Sequence, residues 1–247
     1  MSVVAIIQAR MGSSRLPGKI IRRIGTAPLY RIVYDRVSRA QKVDKVVFAT
    51  THNFLDSEFC EQLSKYSIPY FRGSETDVLS RYQATAEFFE ADFIVRITCD
   101  DPFKDPSIID CCLEPLLSGD LDFSANIIEP SFAEGLDVEC FTRELLEEMH
   151  CSANKAHQRE HVTQFFYENI KDYRYFSLKD DINLSDYRLT LDDPFDLKVL
   201  TELYGVFGYD YSVSYNELKQ VIQLVSFKKK LVGRVPTYAG LSNSRGV

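Results

Sequence analysis

Short apolar runs alternate along the chain with longer stretches whose apolar positions recur every three to four residues. Val3-Val4-Ala5-Ile6-Ile7-Gln8 is rich in β-branched residues and predicts a buried strand. Lys45 to Ala49, Ile68 to Phe71, Phe93 to Ile97, Leu136 to Phe141 and Tyr187 to Leu191 read as further strands. Helical spacing predicts helices over about 28–40, 55–66, 77–90, 106–117, 159–169 and 194–204. Pro28, Pro106 and Pro194 fall near the starts of three of them, where a missing N–H is tolerated. Strands that alternate with helices predict an α/β fold, a three-layer sandwich of a mainly parallel sheet between helices. No repeat or linker divides residues 1–235, so a single domain is expected. The less regular stretch from about 123 to 155 reads as an inserted lobe, and 236–247 as a frayed tail.

Composition narrows the function classes. The 247 residues hold 29 Lys+Arg against 36 Asp+Glu, a net charge of −7, with 45% hydrophobic and 26% charged residues. Such a chain is too apolar to be disordered. It has no apolar run near the roughly 20 residues that span a bilayer, so no membrane partner is expected. Its acidity argues against nonspecific nucleic-acid binding, which draws on Lys and Arg. The start runs straight into a strand without a basic region or cleavage site, so a cytoplasmic location is expected. The six cysteines show no CxxC and no zinc spacing, which suits reduced, packed thiols.

Parallel sheets bind ligands outside the carboxyl ends of their strands, so the segments that follow strands carry the chemistry. The first is Gln8-Ala9-Arg10-Met11-Gly12-Ser13-Ser14-Arg15-Leu16-Pro17-Gly18-Lys19. Gly12 and Gly18 let backbone N–H groups approach an anion, and Ser13 and Ser14 add hydroxyl donors. Arg10, Arg15 and Lys19 place three cations within ten residues, which suits a polyphosphate. Five residues between the glycines and Ile20 after the lysine exclude a Walker A loop, and GxGxxG is absent. The alternative is a plain turn with surface cations.

Two acidic pairs end later strands: Asp100-Asp101-Pro102 and Asp192-Asp193-Pro194. Mg²⁺ takes a few carboxylates and completes its shell with phosphates and water, so Asp100 and Asp192 are candidate ligands of one ion if their strands are neighbours in the sheet. Helix capping is the alternative, and for Asp193 it is at least as good. Arg72-Gly73-Ser74-Glu75 follows a strand and either reaches the ligand edge or is a turn. His157-Gln158-Arg159-Glu160-His161 is a polar cluster without the zincin pattern.

Several segments match a known pattern in order: IIQARMGSSRLPGK (Ile6 to Lys19), FRGSETDVLSRY (Phe71 to Tyr82), IVRITCDDPFKDP (Ile94 to Pro106), EGLDVECF (Glu134 to Phe141), REHVT (Arg159 to Thr163) and RLTLDDPFDL (Arg188 to Leu197). The sequence resembles the cytidylyltransferase-like family of spore coat polysaccharide biosynthesis protein F. That family is related to the acylneuraminate and 3-deoxy-manno-octulosonate cytidylyltransferases. The resemblance implies a nucleotide-diphospho-sugar transferase fold, GT-A-like and Rossmann-like, and a homodimer. It implies a nucleotidyltransferase that joins CMP from CTP to a sugar, an acidic nonulosonate-type acceptor, with Mg²⁺ as cofactor and release of pyrophosphate.

By position, Ala9, Arg10, Gly12, Ser13, Arg15 and Lys19 would surround the triphosphate, and Arg72, Gly73 and Ser74 the base and ribose. Asp100 and Asp192 would hold the metal, and with Lys19 and Arg15 carry catalysis. Glu134, Asp137, Glu139, Arg159, Glu160 and His161 would face the sugar. The family's usual Gly before the first Asp is Cys99 here. Two other classes stay open: a glycosyltransferase, for which only Asp120-Leu121-Asp122 resembles the metal motif, and a non-catalytic nucleotide-binding subunit.

Overall fold

A computed structural model describes residues 1–233, so the tail expected at 236–247 lies outside the described residues. The strands are β1 (Val3–Gln8), β2 (Arg23–Ile24), β3 (Ala27–Pro28), β4 (Lys45–Thr51), β5 (Tyr70–Gly73), β6 (Phe93–Thr98), β7 (Phe123–Ala125), β8 (Glu139–Thr142) and β9 (Tyr175–Ser177). The helices are α1 (Leu29–Val37), α2 (Ser57–Lys65), α3 (Val78–Phe88), α4 (Pro106–Ser118), α5 (Arg143–Ser152), α6 (Ala156–Glu160), α7 (Gln164–Glu168), α8 (Pro194–Val206), α9 (Tyr215–Ile222) and α10 (Val225–Leu231). Seven strands form one sheet in the order β5-β4-β1-β6-β8-β7-β9, and β2 and β3 form a separate hairpin.

β1 sits between β4 and β6, parallel to both, and β5 extends β4 in parallel. β8 runs antiparallel between β6 and β7. Alternation along β1 sends its side chains to opposite faces. Val3, Ala5 and Ile7 join a core built with Ile32 and Val33 of α1, Ile109 and Cys112 of α4, and Leu200 and Leu203 of α8. Val4 and Ile6 join a second core with Leu79 and Tyr82 of α3 and Leu146 and Met149 of α5. Helices therefore cover both faces, and the three-layer α/β fold stands.

Three expected elements differ, each for a local reason. The stretch 187–191 makes only single bridges, Arg188 with Glu134 and Tyr187 with Val232. Its partner on one side is a turn at Gly135, whose φ of +97° cannot continue a ladder. Of Leu136 to Phe141 only the end pairs, as part of β8, because the Asn126 side chain binds the Leu136 carbonyl and the Val138 N–H. The helix expected over 159–169 is split into α6 and α7 by Val162, which is buried at a φ of +55°. The stretch 123–155, expected as an inserted lobe, gives β7 and β8 to the main sheet.

Candidate active site

β1 and β6 end side by side, with Gln8 opposite Thr98, and the backbone stays paired one step further as Cys99 N–H donates to the Gln8 carbonyl at 3.1 Å. The cationic loop and the first acidic pair thus leave the sheet at the same edge. The loop is pinned from behind. Met11 N–H donates to Oδ1 of the buried Asp56 at 2.7 Å, and the N–H groups of Ser13 and Gly18 both donate to the Met11 carbonyl. Gly18 takes a left-handed φ of +64°, which turns the chain and points Lys19 back toward the sheet.

Lys19 Nζ donates to Asp100 Oδ2 at 2.6 Å, to Asp192 Oδ1 at 3.0 Å and to the Leu191 carbonyl at 3.2 Å. The two acidic pairs, 92 residues apart in sequence, therefore meet on one ammonium group. Burial by itself lowers the pKa of Lys19, but the two carboxylates outweigh it and hold the ammonium charged above its ordinary range. Burial likewise opposes ionisation of Asp100, and Lys19 overcomes it, so the Asp100 carboxyl titrates below its ordinary value. Arg15 reaches Asp192 Oδ1 at 3.0 Å from a largely exposed position.

Asp192 is set in place by the segment before it. Glu134 N–H donates to the Tyr187 carbonyl, Leu189 N–H to the Glu134 carbonyl, and Leu191 N–H to the Asp100 carbonyl at 2.8 Å. The close approach needs Gly135, since a Cβ there would lie 2.9 Å from the Leu189 carbonyl carbon. Arg188 then ties Glu134 at 3.3 Å, Asp196 at 3.0 Å and the second oxygen of Asp192. Asp193 is a helix cap, accepting from Asp196 N–H at the start of α8, so capping is its role in the fold.

Two adjoining cavities open at this edge. The larger, about 410 Å³, is lined by Ala9, Arg10, Gly12, Ser13, Arg15, Lys19, Asp100, Glu160, His161 and Asp192, among others. The smaller, about 220 Å³, is lined by Glu134, Asp137 and Glu139 together with Asp101 and Thr190. Arg96, Thr98, Asp100 and Asp192 form the wall that both share. Arg72, Gly73, Ser74 and Arg159, expected at the ligand, line neither cavity. Arg72 spends its guanidinium on the Thr51 and Asn53 carbonyls, and Ser74 Oγ accepts from Asp77 N–H. Arg159 is drawn to Asp77, with Nη2 2.6 Å from Oδ2.

Sequence reasoning also missed residues that the geometry brings in. Arg96 lies in β6 and pairs with Glu139, whose other oxygen accepts from Thr163 and Tyr167 at 2.9 Å each. Lys104, fully buried, holds Asp101 at 2.8 Å and donates to the Asp137 carbonyl. A charged residue inside an apolar strand run was the available signal for Arg96. Cys99 is buried in the first core, and burial pushes its thiol well above the usual range, so it packs rather than reacts. Asp120 and Asp122 pair with Arg174 and line neither cavity.

Among the described residues no three His, Cys, Asp or Glu side chains gather into a closed metal cage. Mg²⁺ typically takes one or two carboxylates and leaves the rest of its shell to phosphates and water. Asp100 and Asp192 already share one cation, so their placement fits a common divalent ion.

A doubly covered, mainly parallel sheet with a cationic loop facing two carboxylates at its carboxyl edge belongs to the nucleotide-diphospho-sugar transferase fold. Residues 4–223 match the family described as Cytidylyltransferase, and the chain belongs to that family. It is 31% identical to the spore coat polysaccharide biosynthesis protein SpsF of Bacillus subtilis, over 87% of this chain and 92% of that protein. An uncharacterized protein of Methanocaldococcus jannaschii is 36% identical over 82% of this chain and 83% of its own. The solved structure of a cytidylyltransferase from Leptospira borgpetersenii superposes with a TM-score of 0.88 at 32% identity, covering 95% of this chain and 98% of that one. CMP:2-keto-3-deoxy-manno-octonic acid synthetase, solved with CTP, shares the fold at a TM-score of 0.64 and 19% identity, covering 84% of this chain and all of that one.

Proposed function

We propose that this protein transfers CMP from CTP to a hydroxyl of a sugar and releases pyrophosphate, for assembly of a surface polysaccharide. The observation that carries the reading is the convergence of Lys19, Asp100 and Asp192 on the wall between two cavities, in a chain of this family. The larger cavity takes the nucleotide and the smaller one the acceptor. Arg10, Ser13, Arg15 and Lys19 bind the triphosphate, with the Gly12 backbone alongside. The acceptor oxygen forms a bond to the α-phosphorus, and the bond from that phosphorus to the bridging oxygen of pyrophosphate breaks. Positioning and charge neutralisation supply most of the rate in such a step.

Lys19 and Arg15 neutralise the charge that gathers on the departing pyrophosphate. Asp192 lines both cavities, so it lies beside the attacking hydroxyl in this reading. Asp100 and Asp192 would hold Mg²⁺, which when bound neutralises phosphate oxygens and makes the phosphorus more electrophilic. Glu160 and His161 border the same cleft from the break between α6 and α7. A homodimer working in the cytoplasm completes the proposal. The test is thermal-shift screening of the four nucleoside triphosphates with Mg²⁺, followed by a pyrophosphate assay with added sugars. CTP alone should stabilise the fold by mass action, and pyrophosphate should appear only with an acceptor. A glycosyltransferase would release no pyrophosphate from CTP, and a non-catalytic subunit would bind CTP without turnover.

A further inference from the structure

Burial opposes the charge of Lys19, Arg96, Arg188 and Arg81 alike. Carboxylates overcome it for the first three, which pair with Asp100 and Asp192, with Glu139, and with Glu134, Asp192 and Asp196. Arg81 is the exception. It lies in α3, lines the larger cavity and is 3% exposed, and its guanidinium stays below its ordinary range. Among the described residues its one hydrogen bond runs from Nη1 to the Ser74 carbonyl, and its Nε is buried without a partner. A buried cation without a counter-charge is costly, so this position calls for a ligand that accepts hydrogen bonds.

The same cavity holds a second polar group of this kind. Alternation along β1 puts Gln8 on the sheet face of Val4 and Ile6, the face that α3 covers with Leu79 and Tyr82. Gln8 also lines the larger cavity, and its Oε1 is buried without a partner. Arg81 is seated against β5, where Gly73 leaves it room: a Cβ on Gly73 would lie 2.9 Å from Arg81 Cγ. In the sheet, β5 lies two strands from β1 on one side, and Asp100 follows β6 on the other. Lys19, Asp100 and Asp192 mark the phosphate end, beside the acceptor cavity. Arg81 therefore stands at the opposite end, with Gln8 between the two.

We infer that Arg81 and Gln8 read the base: the Arg81 guanidinium donates to N3 and O2 of cytosine, and Gln8 Oε1 accepts from its N4 amino group. The inference rests on the larger cavity being the nucleotide end of a CMP-transfer site. A guanidinium only donates hydrogen bonds. Uracil carries a hydrogen on N3, which would face that donor and leave both groups unpaired. Arg81 cannot relieve the clash by turning, so it penalises the wrong base. Gln8 alone could not, because a turned amide exchanges its donor and acceptor.

Titration calorimetry on the full chain with Mg²⁺ tests this with three probes, CTP, UTP and inorganic tripolyphosphate. The proteins are the wild type, Arg81→Met and Arg81→Lys, each checked for folding by circular dichroism. The wild type should bind CTP at least about tenfold more tightly than UTP. Both variants should lose most of that preference and still bind tripolyphosphate within about twofold of the wild type. Arg81→Lys keeps the charge and the stem beside Gly73 while losing the planar fork, so it carries the test should Arg81→Met not fold. An unchanged CTP-to-UTP ratio in a folded variant would overturn the inference. So would a parallel loss of all three probes, which would assign Arg81 to the phosphates or to the fold. Absence of CTP binding by the wild type would instead defeat the nucleotide reading, so the two failures are separable.

Discussion

The N–H of Leu191 donates to the carbonyl of Asp100 at 2.8 Å. This one backbone bond joins the end of the segment 187–191 to the loop that follows β6. It sets the side chains of Asp100 and Asp192 on either side of Lys19 Nζ. The relationship between two distant strand-end motifs is therefore built into the main chain, and the site should behave as one unit.

Lys19→Ala removes the cation that both carboxylates share and that faces the larger cavity. Steady-state assays of pyrophosphate release should show kcat/KM lower by about a hundredfold or more, the usual scale for losing a preorganised charge partner. Arg15→Ala should be milder, since Arg15 is largely exposed and reaches Asp192 from the rim. A rise in the KM for CTP is its expected signature.

Gly135→Ala places a Cβ 2.9 Å from the Leu189 backbone at a φ of +97°. The substitution should destabilise the protein by about 1–3 kcal/mol, measured by denaturant unfolding. Because residues 134 and 135 anchor the chain that carries Asp192, activity should fall further than stability alone predicts.

Arg188 is mostly buried and neutralises Glu134, Asp192 and Asp196 together. Its removal in Arg188→Ala takes that counter-charge from Glu134 and Asp196, while Asp192 keeps Lys19 and Arg15, and should cost about 3–5 kcal/mol in chemical unfolding. Arg188→Lys keeps the charge and loses the planar fork. It should fold, yet require more Mg²⁺ for half-maximal activity, because Asp192 is no longer fixed.

Glu168 gives a pH signature. Burial opposes its ionisation, but hydrogen bonds from Lys155, His157 and Gln158 outweigh that and bring the carboxyl down to about 2. A carboxyl lowered on folding contributes stability that is present above its unfolded value of about 4.3 and lost as pH falls toward the folded value. The difference in melting temperature between the wild type and Glu168→Gln should therefore shrink as pH falls from about 4 toward the folded value. A difference that grew below about pH 4 would contradict this pairing between α6 and α7.

Much of the fold was legible because buried strands such as β1 declare themselves as β-branched runs, and because the apolar spacing of α1, α3 and α4 repeats at the helical period. The cationic loop was legible for a related reason: its glycines and cations are contiguous and follow a strand. Asp100 and Asp192 could be proposed as partners only on the condition that their segments lie side by side. What the pattern could not give was long-range partnership. Arg72 and Arg159 carry the right charge for a phosphate site, yet nearby carbonyls and Asp77 claim them. Arg188 and Lys104 carry no local motif, and their roles come entirely from carboxylates brought to them by the fold. Tyr187 to Leu191 has the composition of a strand, but a turn at Gly135 offers it no ladder to join.

In the proposed function the loop of residues 8–19 and the two aspartates form one nucleotide site. Titration calorimetry of CTP into the wild type, Lys19→Ala, Asp100→Ala and Asp192→Ala, each with and without Mg²⁺, tests it without any acceptor. The wild type should bind CTP and gain affinity with Mg²⁺. Lys19→Ala should bind CTP weakly in both conditions, and either aspartate variant should lose the gain from Mg²⁺ while keeping its fold by circular dichroism. Equal CTP affinity and equal Mg²⁺ response in all four proteins would contradict it.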